Sequence, residues 1–110
     1  MVRSKSEMMI DSSLYIHKIP FRYEDTLALD DIILYPDFTI RHPKTGEYFY
    51  WEHFGLMDDP VYCKNTFSKL QLYTTNNIVP DINLITTYET RERPLSMEKI
   101  ERIITEHFIE

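Results

Sequence analysis

Glycine and cysteine are scarce in this sequence, which has two glycines and one cysteine in 110 residues. A single cysteine excludes an internal disulfide and a zinc site built from several thiolates, so Cys63 is predicted to be a small buried hydrophobic residue. The few glycines, beside 43% hydrophobic and 14% aromatic residues, exclude a low-complexity or disordered chain. The length then predicts a single folded domain, residues 1–110, with one core.

Long apolar runs are missing as well. No stretch comes near the roughly 20 apolar residues that a membrane-spanning helix needs. Residues 1–7 also lack the apolar segment of a signal peptide. These features predict a cytoplasmic protein with no membrane partner.

Basic side chains are in deficit, because 12 lysines and arginines face 18 acidic residues and the formal net charge is −6. Such a chain attracts a phosphate backbone only weakly, which argues against a freestanding DNA binder. Divalent ions offset part of the charge wherever acidic side chains cluster. Any DNA affinity would come in part from another domain or protein. Two arrangements remain open: the chain acts as a freestanding domain, or it is fused to or associated with a DNA-binding partner.

The first half of the chain predicts a helix and three strands. Ser4 or Ser6 can cap a helix that runs to about His17, and Ile19-Pro20 stops it. Apolar alternation bounded by turn residues then predicts strands at 21–29, 32–41 and 47–54. The turns between them contain Asp30-Asp31 and the segment 43–46.

The second half predicts a helix, a strand and a final helix. Asp58-Asp59-Pro60 is typical of a helix start, and the helix is expected to end at Asn76. Its predicted core face consists of Cys63, Phe67 and Leu70. A β-branched strand follows at 82–88, and Ser96 caps the last helix.

The predicted order is therefore α-β-β-β-α-β-α. A hairpin meander followed by a helical crossover to a further strand implies that one strand pair is parallel and the others antiparallel. The sequence thus predicts an α/β domain with a mixed sheet and helices on its faces.

Two acidic residues lie at the ends of neighbouring apolar runs. Asp37 lies in Tyr35-Pro36-Asp37-Phe38, and Glu52 lies in Trp51-Glu52-His53-Phe54-Gly55. The short turn through residues 42–46 predicts that the two runs pair as a hairpin and bring these carboxylates side by side. Paired carboxylates favour a hard divalent cation.

The order and spacing of five segments resemble the PD-(D/E)XK, or restriction-endonuclease-like, nuclease superfamily, and within it a group of small bacterial nuclease-like domains. The segments are Arg3–Glu7, Pro20–Glu24, Tyr35–Phe38, Trp51–Gly55 and Lys69–Tyr73. The resemblance implies an αβββαβ core with a mixed central sheet flanked by helices and followed by a C-terminal helix. It also implies hydrolysis of phosphodiester bonds in DNA with Mg²⁺, or Mn²⁺, as the cofactor.

The resemblance assigns metal ligands. Pro36-Asp37 matches the PD of the motif and Glu52 matches its second acidic position, so both are implied to bind the ion with the backbone carbonyl of His53. A glutamate of the first helix often completes such a site, which implies the same role for Glu7. That residue is also predicted on the apolar face of its helix, where a carboxylate needs a partner.

The motif lysine is expected two residues after Glu52, where this sequence has Phe54. Some branches of the superfamily supply the lysine from the following helix, which points to Lys69. Tyr73 lies four residues later on the same helix face, and is implied to contact the phosphate or the lysine. His53 is a second candidate, although its side chain should point to the opposite face of the strand.

Other interpretations of these residues remain open. Pro36-Asp37 is typical of a turn, Lys69 of an exposed helix position, and Glu7 of a surface ion pair with Arg3 or Lys5. The same fold without a working lysine would be a catalytically silent module that binds nucleic acid or protein. A further alternative is a homodimer that uses the aromatic hairpin segment 48–51 as its interface.

Overall fold

The computed structural model describes residues 3–110, which form a mixed α/β structure. Its helices are α1 (Lys5–Ile16), α2 (Pro60–Thr75) and α3 (Met97–Ile104), and α3 continues into a π-helical turn, Thr105–Ile109. Its strands are β1 (Phe21–Tyr23), β2 (Leu27–Leu29), β3 (Ile32–Leu34), β4 (Phe38–Arg41), β5 (Tyr48–Phe54) and β6 (Leu84–Tyr88). None of these helices has the length and apolar character needed to cross a membrane.

The main sheet has four strands in the order β1-β4-β5-β6. Strands β1, β4 and β5 pair antiparallel, with Phe38 opposite Trp51, whereas β6 pairs parallel to β5. Helix α2 makes the crossover that a parallel pair requires. The predicted α/β class and mixed sheet are confirmed.

Two predicted strands are wrong as continuous elements. The segment 21–29 divides into β1 and β2, because Glu24 has a left-handed backbone conformation (φ 50°) that turns the chain out of the sheet. The segment 32–41 divides into β3 and β4 at Pro36, which has no N–H to donate to a ladder. Strands β2 and β3 instead form a separate two-stranded sheet around a turn at Asp30.

The main core lies between one face of the sheet and helices α1 and α3. The sheet contributes Phe38, Trp51 and Ile85, which are almost completely buried. The helices and the π turn supply apolar side chains at helical spacing, namely Ile10, Leu14, Ile100, Ile104 and Phe108. Apolar side chains at helical spacing therefore hold the first and last helices against the sheet.

The predicted core face of α2 is wrong at Phe67, whereas Leu70 is half-buried and packs against a core cluster. Phe67 is 63% exposed, whereas Thr66 and Tyr73 are the buried residues of this helix. Tyr73 packs with Leu34 and Leu84 in a second, smaller cluster on the other face of the sheet. A stripe rich in polar groups therefore faces the sheet, and apolar periodicity alone could not identify it.

Capping explains where the helices begin. Ser4 and Glu7 form a reciprocal capping box at α1, and the Asp59 carboxylate accepts from two N–H groups before Pro60 continues into α2. Ser96 caps α3 in the same way. These starts agree with the sequence predictions, and they fix where Glu7 and Lys69 lie along their helices.

Two phenylalanines test the orientation of α2. Phe108→Ala should lower the free energy of unfolding by about 3–5 kcal/mol, because the side chain is 1% exposed. Phe67→Ala should change it by no more than about 0.5 kcal/mol, because its ring lies on the surface. Urea denaturation of both variants gives the comparison, and equal losses would contradict this orientation of α2.

Candidate active site

The β4–β5 hairpin brings Asp37 and Glu52 together. Asp37 directly precedes β4, and the pairing of Phe38 with Trp51 places it beside Glu52. The Asp37 N–H donates to Glu52 Oε1 at 3.1 Å, and the His53 N–H donates to Asp37 Oδ2 at 2.7 Å. The adjacency predicted from the two runs and their turn is therefore present.

Glu52 is a buried charge with a full set of partners. Only 1% of the residue is exposed, so an unpaired carboxylate would be costly here. Its Oε2 forms an ion pair with Lys69 Nζ and accepts from the Tyr73 hydroxyl at 3.2 Å. Burial, and then the negative charge of Glu52, raise the pKa of Tyr73, so the phenol remains a hydrogen-bond donor.

Helix α2 places Lys69 at the cleft beside Glu52. Phe54, at the strand position where the motif lysine is expected, is buried and stacks on Tyr88 with 5.6 Å between ring centroids. Lys69 reaches the acids from the opposite wall of a cleft of about 250 Å³, and its side chain is 36% exposed. The cleft is lined by Asp37, Glu52, His53, Phe54, Tyr62, Asn65, Thr66 and Lys69.

A group of three half-buried acids lies at Asp37. Oxygen atoms of Glu7, Glu24 and Asp37 lie within 4.8 Å of one another, and they come from α1, from the turn after β1 and from the start of β4. Glu7 is held in place because its carboxylate accepts from the Ser4 N–H and from the Tyr23 hydroxyl, both at 3.1 Å. The alternative pairing of Glu7 with Arg3 is not found in residues 3–110, where Arg3 pairs with Asp11.

Glu24 lies in one of the segments that carry the resemblance, but the sequence assigned it no role. Its neighbours on the chain predict a continuous strand, which would leave its side chain without a special role. The left-handed backbone at Glu24 is stabilised by its N–H, which donates to the Asp37 carbonyl at 2.9 Å. That long-range contact has no local sequence signal.

The donor set fits a hard divalent cation. Burial, and then the charge of Glu52, raise the pKa of Asp37 to about 7, against the opposing effects of the His53 N–H and Lys69. Carboxylate oxygens are among the ligands that Mg²⁺ and Mn²⁺ prefer. Of the three predicted acidic ligands, Asp37 and Glu7 belong to this group, and Glu24 is added to them. Glu52, also predicted to bind the ion, is not in the group and pairs with Lys69 instead.

His53 contributes to the cleft through its backbone. Its N–H contacts Asp37, whereas its imidazole lies on the opposite face of the sheet and is 3% exposed. The ring nitrogens there contact Thr87 and Glu89, each at 2.8 Å. The orientation predicted for this side chain is confirmed, and the ring does not line the cleft.

Comparison of the chain with protein-family models, curated proteins and solved structures found no match. Membership of the PD-(D/E)XK superfamily therefore stays a prediction.

The Asp37 carboxyl should make stability depend on pH. Because its pKa is higher in the folded chain than its ordinary 3.8, its contribution is fully present below about pH 4 and is lost as the pH rises through about 7. Urea denaturation in EDTA should show this decline in the parent and a flatter profile in Asp37→Asn. Identical profiles would contradict the raised pKa.

Added Mn²⁺ should stabilise the parent more at high pH, since ion and proton compete for one carboxylate.

Proposed function

We propose that this chain is a metal-dependent nuclease domain of the restriction-endonuclease-like fold, which hydrolyses phosphodiester bonds in DNA with Mg²⁺ or Mn²⁺. The observation that carries the proposal is the convergence of Lys69 from α2 with Asp37 and Glu52 of the hairpin at one cleft, where Asp37 also belongs to an acidic group with Glu7 and Glu24. A lysine beside clustered carboxylates matches the needs of phosphoryl chemistry, where negative charge develops on oxygen.

The order of the elements supports the proposed fold. When the separate β2–β3 hairpin is set aside, the chain runs α1-β1-β4-β5-α2-β6. This is the αβββαβ order expected for the superfamily core, followed by α3 at the C-terminal end. Strand β6 lies parallel to β5 after the α2 crossover, which gives the sheet its mixed character.

Three acids are proposed to hold the ion. Asp37 and Glu7 are the principal ligands, and Glu24 lies close enough to share the task. A bound divalent ion would neutralise charge on the phosphate and lower the pKa of an attacking water. The chain itself orients these carboxylates, through the His53 N–H at Asp37 and the Tyr23 hydroxyl at Glu7.

Lys69 is proposed to act on the reacting phosphate. Its ammonium lies at the cleft and is anchored by Glu52, so it can orient the water or stabilise the charged transition state. Tyr73 is fully buried and binds Glu52, so its role is to fix that carboxylate and through it the lysine. Glu52 thereby connects the hairpin, through the Asp37 N–H, to α2, through Lys69 and Tyr73.

A catalytically silent module is the second candidate. The observation that favours it is the buried Phe54 ring at the strand position of the motif lysine. In that case the Lys69–Glu52 ion pair would only compensate a buried charge. The net charge of −6 also suggests that a DNA-binding partner would assist either function.

Metal-dependent cleavage separates the two candidates. The parent chain should cut supercoiled plasmid or labelled single-stranded DNA with Mg²⁺ or Mn²⁺ and should be inactive in EDTA. Asp37→Asn and Lys69→Met should each reduce the rate by about 100-fold or more, because both groups act on the transition state. Gel quantification of the cleavage rate gives the measurement.

Lys64→Met is the matched control, because Lys64 lies on the same helix but is exposed and does not line the cleft. It should leave the rate unchanged. Glu52→Gln keeps the shape of the buried side chain and should also reduce cleavage, since Lys69 loses its anchor. Cleavage by Asp37→Asn and Lys69→Met at the parent rate would contradict the proposed site.

A further inference from the structure

A chain of hydrogen bonds lies behind the cleft, on the core face of the sheet. The Trp51 Nε1–H donates to Thr87 Oγ1 at 3.1 Å, and Thr87 Oγ1 lies 2.8 Å from His53 Nδ1. His53 Nε2 lies 2.8 Å from Glu89 Oε1, which also accepts from the Ser6 hydroxyl at 2.6 Å. The chain links β5 and β6 with the first turn of α1.

One arrangement of hydrogens satisfies every group in this chain. Thr87 accepts from Trp51 and donates to His53 Nδ1, so the imidazole carries its hydrogen on Nε2 and donates it to Glu89. Glu89 then receives two donors on one carboxylate oxygen, one from β5 and one from α1. A fully satisfied, largely buried network of this kind favours one geometry over its neighbours.

Two members of the network adjoin the candidate metal site. Ser6 directly precedes Glu7 on α1, and His53 directly follows Glu52 on β5. The backbone N–H of the same His53 donates to Asp37. Glu89 therefore connects Ser6, the neighbour of Glu7, to His53, whose N–H binds Asp37.

The first turn of α1 depends on this contact more than the rest of the helix does. The other buried residues of α1 are Ile10, Ser13 and Leu14, which lie in its later turns. Ser6 is the buried residue of the first turn, and Glu89 is its hydrogen-bond partner. Apolar packing is non-directional, whereas this bond, together with the Tyr23–Glu7 bond, places the first turn against the sheet.

We propose that Glu89 is a positioning residue of the metal site. By holding Ser6 and His53 on one carboxylate oxygen, it sets the position of Glu7 relative to Asp37. The inference rests on the proposed function, because it assigns a role towards the ion held by those acids. Mutation of a group that orients a metal ligand without binding the metal commonly lowers metal affinity or activity by about 10–100-fold.

Direct Mn²⁺ binding, measured by electron paramagnetic resonance on the whole chain, tests this role without reference to cleavage. Glu89→Ala should weaken Mn²⁺ binding about tenfold or more. Glu89→Gln should restore much of it, because the amide oxygen can still accept from Ser6 and His53. Circular dichroism checks that each variant is folded.

Glu101→Ala is the matched control. Glu101 pairs with His17 at 3.0 Å and so ties the other end of α1 to α3. Its loss should lower stability without weakening Mn²⁺ binding. If Glu101→Ala weakened Mn²⁺ binding as much as Glu89→Ala, general loosening of α1 would explain the effect and the positioning role would be wrong.

Ser6→Ala provides a second route that does not remove a carboxylate, and it decides the question if Glu89→Ala fails to fold. It should weaken Mn²⁺ binding in the parent chain and have no effect in a Glu7→Gln chain, because Ser6 acts through Glu7. Equal effects in both chains would overturn the proposal.

Failure of this inference differs from failure of the proposed function. If Asp37→Asn abolishes Mn²⁺ binding while Glu89→Ala and Ser6→Ala bind like the parent, the metal site stands and the positioning role is wrong. If the parent itself binds no Mn²⁺ at these acids, the proposed function fails and this inference fails with it.

Discussion

The structure around the cleft depends on the buried charge of Glu52. A carboxylate in the middle of β5 with 1% of its residue exposed needs strong partners, and three groups meet it. They are the Asp37 N–H, the Lys69 ammonium and the Tyr73 hydroxyl. This requirement explains why α2 turns its polar stripe to the sheet and leaves Phe67 in solvent. Helix orientation thus combines charge compensation at Glu52 with the apolar packing of Tyr73 and Leu70.

The alternation of side chains along β5 organises both faces of the sheet. Glu52 points to the cleft and His53 to the core side, as strand geometry requires for neighbouring residues. The cleft side carries Lys69 and the Glu52 carboxylate, and the other side carries the hydrogen-bond network that ends at Ser6. Asp37 is hydrogen-bonded to both Glu52 and His53. A shift of β5 would therefore also move this proposed metal ligand.

Local signals predicted much of this architecture. The turn between β4 and β5 placed Asp37 beside Glu52, and side-chain caps marked the starts of all three helices. The helical spacing of Lys69 and Tyr73 correctly put them on one face. These features depend on residues close in sequence, where periodicity and capping chemistry are informative.

Long-range contacts decided what the sequence could not predict. The break after β1 follows from a left-handed Glu24 whose N–H binds Asp37, and the inward face of α2 follows from the charge on Glu52. Apolar spacing predicted Cys63, Phe67 and Leu70 as the core face of α2, because it carries no information about the buried ion pair of Glu52 with Lys69. The superfamily resemblance implied roles for Glu7 and Lys69. It remains a prediction, because a resemblance in fold does not establish a function.

The central claim is that Asp37 and its acidic neighbours hold a divalent ion at the cleft beside Lys69. Crystals of the chain soaked in Mn²⁺ would locate the ion directly by its anomalous scattering. We expect an ion bonded to a carboxylate oxygen of Asp37 and to at least one of Glu7 and Glu24, at about 2.0–2.2 Å. Well-diffracting crystals with no Mn²⁺ at Asp37, or with Mn²⁺ bound only elsewhere, would contradict the account.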